Sequence, residues 1–302
     1  MLYLRLILFD ARQILIYNDF EIYFTHVKYS VINMAILISE KQDLTYLNWS
    51  HIRSSSGTAG TFLKSSSAID GKKKYYKLSN FDPNEGVVGH ECINELIVDR
   101  LLDILGVDHL EYELINADIE IEHKRYSTWL CASEDFKDRG ESKVSLDDYF
   151  RIDSFPGESH YDFCVRQGWQ DYVDKMLAID YLILNRDRHG ANIEVLRNSR
   201  AHTTRIAPIF DHGVSLLYSC SSDEEAGAFD ILSDKPCNNF IGSHSCYDNL
   251  RLISSNPKPF IGILKPQHKK ELFDGLEDIL SETFMDRIWQ MIYERYKIYE
   301  SL

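Results

Sequence analysis

Apolar residues follow two different periods along this chain. In the first half they alternate with polar ones over short runs, as in "TFLKSSSAI" (61–69), "YYKLS" (75–79) and "RYSTWLCA" (125–132), which predicts β-strands. The segment "MAILISEKQDLTYLNWS", from Met34, alternates in the same way and predicts a strand or two. Asp70-Gly71 between the first two runs is a hairpin signal, so those strands should be antiparallel neighbours, with Lys72, Lys73 and Lys74 in a solvated turn. One helix interrupts the strands. "HECINELIVDRLLDILG" is apolar at 92/93, 96/97, 101 and 104/105 and ends at Gly106, a C-cap residue.

The period changes in the second half. "SEDFKDRGESKVSLDDYFRIDSFPGES" (133–159) is polar, contains Pro156-Gly157 and reads as a linker between lobes. After residue 170 the helical period dominates, first in "DYVDKMLAIDYLIL" and later between Lys269 and Tyr299, with the short strands "NIEVLRN" and "TTRIAPIFD" between them. The expected class is therefore α+β: a small β-rich lobe over 34–135 and a larger helical lobe over 136–302. Residues 1–33 form an extension, either an extra strand pair or a stretch upstream of a natural start at Met34.

Composition narrows the partners. At 302 residues, 44% hydrophobic and 26% charged, the chain has the make-up of a globular protein. A formal charge of −14 argues against binding nucleic acid across the whole surface. The opening "MLYLRLILFDARQILIY" is broken by Arg5, Asp10 and Arg12, short of the roughly 20 apolar residues a membrane helix needs. It shows no secretory pattern, so a cytoplasmic location is expected. The six cysteines form no CxxC pair, which fits small buried residues in a reducing compartment. A zinc site from Cys237, His244 and Cys246, with Cys220 as fourth ligand, lacks the usual tight spacing.

The candidate chemistry starts at "LILNRDRHGANIEVL" (182–196), where a polar loop lies between two apolar runs. Asp187 and Asn192 stand in the spacing D-x-x-x-x-N, which places a carboxylate and an amide oxygen on one short loop. Phosphoryl-transfer enzymes use such a pair to meet an acceptor hydroxyl and to hold magnesium. Downstream, "IFDHG" offers Asp211 as a second oxygen ligand, although Asp-x-Gly after a strand is also ordinary turn chemistry. His189 is either a base or a residue that shapes the loop. Upstream, Ser54, Ser55, Ser56, Gly57, Thr58 and Gly60 form a small-residue loop able to cradle phosphates. Lys77 would face inward on its strand, where a buried ammonium needs an anionic partner. Glu95, or Glu91 one turn earlier, could supply it.

Each part is common alone, but their order is that of a kinase. "DYLILNRDRHGANIEVLRN", "IAPIFDHG" and "NELIVDRLLDILGVD" resemble segments of the HipA-like serine/threonine kinases, toxin components of bacterial toxin–antitoxin pairs, and "SSSGTAGTFLK" is similar to the Ser/Gly loop of shorter members. The resemblance implies a bilobal kinase-like fold, ATP and Mg²⁺ as cofactors and protein hydroxyls as acceptors. Asp187 would be the catalytic base, Asn192 and Asp211 the magnesium ligands, Lys77 the ATP-phosphate ligand and Glu95 its positioning partner. His189 and the residues Ser56, Gly57, Thr58 and Gly60 would belong to the ATP site. It further implies autophosphorylation among Ser54, Ser55 and Ser56, a target in the translation machinery, and an antitoxin partner that carries DNA binding in place of direct nucleic-acid contact. Two features depart from the pattern: the chain has no room for the amino-terminal subdomain of larger members, and Asn185 stands where conventional protein kinases place His. A small-molecule or lipid kinase of the same shape, and a nucleotide-binding module without phosphotransfer, are the alternatives.

Overall fold

The alternating segments of the first half assemble into one six-stranded sheet. The strands are β1 (Ile36–Asp43), β2 (Ser50–Ile52), β3 (Ala59–Ile69), β4 (Lys72–Leu78), β7 (Glu113–Ile121) and β8 (Lys124–Glu134), in the spatial order β1-β7-β8-β4-β3-β2. β3 and β4 pair antiparallel with Ile69 opposite Lys72, as the Asp70-Gly71 signal predicts. All other neighbours are antiparallel except β1, which runs parallel to β7 along one edge. Between β4 and β7 come a small hairpin, β5 (Phe81–Asp82) and β6 (Gly86–Val87), and the helix α1 (Glu91–Leu105). The computed structural model describes residues 36–52, 59–69, 72–254, 258–259 and 261–302, all within one unit, Asn33–Leu302. Ser54, Ser55, Ser56, Gly57, Thr58 and the turn Asp70-Gly71 lie outside the described residues.

The second half is mainly helical. β9 (Ser142–Ser145) and α2 (Leu146–Asp153) are followed by α3 (His160–Arg166), α4 (Gln170–Leu182) and the two-residue strand β10 (Asp187–Arg188). One 3₁₀ turn (Gly190–Asn192) leads into β11 (Glu194–Asn198) and β12 (Thr203–Ile206). Then come α5 (Asp223–Ala228), β13 (Asn238–Asn239), α6 (Cys246–Ile253), α7 (His268–Phe273) and α8 (Glu282–Ser301). No helix among the described residues is long and apolar enough to cross a membrane.

Two sequence expectations change. The polar stretch 133–159 is not a plain linker, because β9 pairs with β11 through Val144 and Val195, and α2 starts on a Ser145 cap that accepts the Asp148 N–H. Of the apolar residues of α2, Leu146 and Tyr149 are buried, whereas Ile152 is exposed. Lys72, Lys73 and Lys74 belong to β4 rather than to a turn: Lys72 meets Glu134 at 3.1 Å and Lys74 meets Glu113 at 2.6 Å across the sheet.

The apolar side chains form two cores. The smaller lines one face of the sheet, with Leu44, Leu47, Leu63, Leu78, Ile119 and Leu130 among its members. The larger joins α1 to the helices of the second half. Burial of α1 on nearly every face brings polar residues inside with it: Asn94, Glu95, Asp99 and Arg100. Buried polar groups need partners. Arg100 finds two in the carbonyls of Leu272 and Asp274, at 3.2 and 2.8 Å, which fasten α1 to the end of α7. Asn94 and Glu95 build the site.

Candidate active site

Lys77 points from β4 into the gap between the sheet and the helical half. Its Nζ lies 2.8 Å from Glu95 Oε1 on α1 and 2.5 Å from Asp211 Oδ1. The second Glu95 oxygen accepts the backbone N–H of His212 at 2.8 Å. Glu95 therefore holds both the lysine and the segment that carries Asp211. Asn94 helps from the same helix turn by donating to the Gly213 and Ser215 carbonyls, each at 3.0 Å. Asp211 has φ 62, in the left-handed region that Asp tolerates better than most residues, and its N–H donates to the Tyr112 hydroxyl at 3.3 Å. Glu91, the competing partner in sequence, instead accepts the Asn80 N–H at 3.1 Å.

One ammonium thus serves two carboxylates, and the cluster carries a net negative charge inside the protein. Burial opposes the charge on Lys77, but Asp211 and Glu95 more than offset it and hold its pKa well above the ordinary lysine value. Burial raises the Glu95 pKa, Lys77 pulls it down, and Asp211 adds to the rise. Lys77 and Asp211 line a cavity of about 450 Å³, together with Tyr46, Tyr75, Tyr112 and Phe210. The Phe62 ring lies 5.0 Å from Lys77 Nζ. It also lines a second cavity of about 420 Å³, whose walls include Asp187, Arg186 and Tyr218.

The polar loop after α4 is held from inside. Asn185 Oδ1 accepts the Asp187 N–H at 3.1 Å, and its Nδ2 donates to Asp180 Oδ1 at 2.8 Å. Asn192 Nδ2 donates to the Asp187 carbonyl at 2.8 Å, so Asp187 and Asn192 close on each other across the loop. Asn238 Nδ2 reaches Asp187 Oδ1 at 3.3 Å. His189 accepts the Ala191 N–H on Nδ1 at 3.2 Å and so caps the 3₁₀ turn, with Nε2 3.7 Å from Asp187.

Arg188, the third charge of the loop, is 1% exposed. It donates to Asp180 at 2.9 and 3.0 Å, to the Phe210 carbonyl at 2.6 Å and to the Asn192 carbonyl at 3.4 Å. One guanidinium therefore ties α4, the Asp187–Asn192 loop and the segment before Asp211 together; the strand expected over "TTRIAPIFD" ends at Ile206. A lysine, held by Asp211 and a helix glutamate, beside a D-x-x-x-x-N loop is the arrangement that phosphoryl transfer uses. No family model matches the sequence, and no curated protein matches it.

The fold is that of a kinase. A crystal structure of the Helicobacter pylori proinflammatory kinase CtkA superposes with a TM-score of 0.57 at 18% identity, over 84% of this chain and 93% of that one. A toxin–antitoxin complex from Shewanella oneidensis MR-1, HipA with HipB and operator DNA, is matched at a TM-score of 0.37 and 15% identity, over 82% of this chain and 58% of that one.

Within this kinase-like fold the structure brings Lys77, Glu95 and Asp211 into direct contact and joins Asn192 and Asp187 on one loop. His189 shapes that loop. Gly60 lies within β3, whereas the rest of the Ser/Gly loop falls outside the described residues. Sequence reasoning missed Asp180, Arg188, Asn94 and Phe62. An acid inside the apolar run "LAIDYL" was the one local sign of a buried partner for Arg188. The suggested zinc residues serve the fold: Cys246 donates to the Asn185 carbonyl at 3.4 Å, and His244 Nδ1 to the Cys237 carbonyl at 2.8 Å.

Proposed function

We propose that this protein is an ATP- and magnesium-dependent serine/threonine protein kinase of the HipA-like toxin type, with residues 34–135 and 136–302 as its lobes. The observation that carries the proposal is Lys77 fixed between Glu95 and Asp211 at the wall of the larger cavity, beside the Asp187–Asn192 loop. Two carboxylates on one buried ammonium leave excess negative charge, which suits a site completed by a hard cation. Asp211 and Asn192 are the residues to hold Mg²⁺, and Lys77 the one to bind phosphate oxygens. Mg-ATP supplies a phosphoryl group whose charge is partly neutralised in advance.

In this reading the nucleotide takes the cavity lined by Lys77 and Asp211, and the acceptor hydroxyl enters the one lined by Asp187. Asp187 accepts the hydroxyl proton as the acceptor oxygen bonds to the γ-phosphorus and the bond to the bridging oxygen of ADP breaks. Asn185 holds the Asp187 backbone N–H and Asn238 reaches its carboxylate, which together set Asp187 for that task. Glu95 does not touch the reacting atoms but sets the position of Lys77. The resemblance to the HipA-like group extends the proposal to autophosphorylation within Ser54–Ser56. It extends further to a target in the translation machinery and to an antitoxin partner that makes the DNA contacts.

The test is intact-mass spectrometry after incubation with Mg-ATP, on the parent and on Asp187→Asn, followed by peptide mapping. A phosphate gained by the parent alone and mapped to Ser54–Ser56 is the expected outcome. Equal labelling of the variant would remove Asp187 from its role as base. A parent that binds no ATP would end the kinase reading.

A further inference from the structure

A second cluster of convergent polar atoms lies one to two helix turns below Glu95. Asp99 and Asp103 follow Glu95 on the same face of α1, and His109 folds back beneath them from the turn after the helix. His109 Nε2 is 3.5 Å from Asp99 Oδ1 and 4.0 Å from Asp103 Oδ1. Ligand atoms from all three residues lie within 4.8 Å of one another, the one such group among the described residues. We propose that Asp99, Asp103 and His109 form a binding site for a divalent cation of the zinc class, separate from the phosphoryl-transfer site.

The hydrogen bonding of His109 favours a cation. Its Nδ1 meets the Val107 carbonyl at 2.8 Å, and a carbonyl only accepts, so the proton of the neutral ring sits on Nδ1. Burial opposes a charge on the ring, but Asp99 and Asp103 outweigh it and raise the His109 pKa, so Nε2 carries a proton towards them unless a cation takes that proton's place. A histidine that gives its other N–H to a backbone carbonyl is the usual posture of a metal ligand. The side chains of His109 and Asp99 are 6% and 0% exposed, yet His109 Nε2, Asp99 Oδ1 and Asp103 Oδ2 are buried without a hydrogen-bond partner. Two unpartnered polar atoms facing each other, His109 Nε2 and Asp99 Oδ1, are costly unless something joins them. Two ligands of a tetrahedral zinc ion lie about 3.4 Å apart, from bond lengths of about 2.1 Å. The 3.5 and 4.0 Å separations are close to that spacing. Asp103, with a side chain 21% exposed, gives the ion a way in and leaves a place for water as a fourth ligand. One nitrogen and two carboxylate oxygens suit zinc better than magnesium, which prefers oxygen alone.

The site would act on the floor of the larger cavity. Asp99 Oδ2 accepts the Tyr112 N–H at 2.5 Å, and Leu110 donates its N–H to the Ile209 carbonyl at 2.8 Å. Leu110 and Tyr112 both line the cavity, and the Tyr112 hydroxyl accepts the Asp211 N–H. A cation joining His109 to α1 would pin residues 107–112 to the helix that carries Glu95.

The test is calorimetric titration of the full chain with ZnCl₂ after chelator treatment, in millimolar Mg²⁺ to saturate sites of hard oxygen ligands. We expect one zinc ion per chain, a higher melting temperature with zinc, and affinity at least 100-fold weaker in His109→Gln. Asp103→Asn should show the same loss while melting like the parent without metal, which keeps the test valid if His109→Gln misfolds. Cobalt(II) in place of zinc should give a spectrum without thiolate charge-transfer bands. The proposal is overturned if the parent binds no zinc, if Asp103→Asn binds it as tightly, or if thiolate bands place the metal on cysteines. Failure to bind would leave His109 as a protonated imidazolium between two carboxylates, which its NMR titration would show.

Discussion

Replacing Asp180 with Asn tests how the site is held together. Asparagine keeps the shape and one acceptor oxygen but removes the only carboxylate bonded to Arg188 among the described contacts. Arg188 cannot escape by losing its proton: burial opposes its charge, yet Asp180 outweighs burial and holds the guanidinium pKa above the ordinary arginine value. The variant therefore buries a charge without its counterion. Breaking such a pair from one side costs about 3–5 kcal/mol, a fifth or more of the roughly 5–15 kcal/mol that holds a typical protein folded. The melting temperature should fall on the order of 10 °C. Because Arg188 also holds the Phe210 and Asn192 carbonyls, phosphoryl transfer should fall even where the variant is fully folded. Urea titration with a parallel transfer assay measures both. The double variant Asp180→Leu/Arg188→Met removes both charges and should recover part of the loss, short of the parent because Asn185 and the Phe210 carbonyl lose their partner. A single-variant loss below about 1 kcal/mol would falsify the reasoning, since it would mean the pair is solvated and the three elements are held otherwise.

Three further outcomes follow from the same geometry. Lys77→Ala should weaken ATP binding at least tenfold by calorimetry, and an unchanged affinity would remove Lys77 from the nucleotide site. Gly190→Ala would set a Cβ 2.6 Å from Asp147 Cβ and 3.1 Å from its backbone nitrogen, so it should destabilise by about 1–3 kcal/mol in a thermal melt. A melt unchanged from the parent would show that α2 yields freely. Burial holds the His90 pKa below the ordinary imidazole value, with Glu91 partly offsetting it. The unfolded chain therefore takes up a proton as pH falls through about 6.5 while the folded chain resists it, and stability is lost below that pH. His90→Gln should flatten that part of a stability–pH profile, and an unaltered slope would assign it to other groups.

The parts that could be read in the sequence are those encoded locally. α1 is marked by its period and by Gly106, which adopts φ 63 as a C-cap should. The β3–β4 hairpin is marked by its turn dipeptide, whereas the choice of Glu95 over Glu91 depends on which residue of α1 faces β4. What sequence reasoning missed depends on contacts distant in the chain. A charged run such as Arg186-Asp187-Arg188 reads as solvated until the position of Asp180 inside α4 is known. The parallel pairing of β1 with β7 leaves no local trace at all. In 133–159 the polar composition of exposed faces outweighed a helix cap and a strand of four residues.

The ends of the sheet are joined by a short connection, and that sets its shape. Asp43 ends β1 opposite Asp118 at one edge, whereas Ser50 starts β2 at the other edge, opposite Lys64. Lys64 lies in one transverse row with Lys77, Cys131 and Leu114. On a flat sheet the chain would have to cross five strand spacings and step back four residues along β7, about 27 Å in all. The seven residue steps from Asp43 to Ser50 reach at most about 25 Å, and the turn from Leu44 to Leu47 shortens them further. Flatness is therefore ruled out, and the strands must curl into an arch whose string is residues 44–49. Leu44 and Leu47 fill the space under that arch, and Tyr46, Leu47 and Asn48 line the larger cavity. An arch strung in this way resists spreading, so the span of the cavity is limited by chain length as well as by packing.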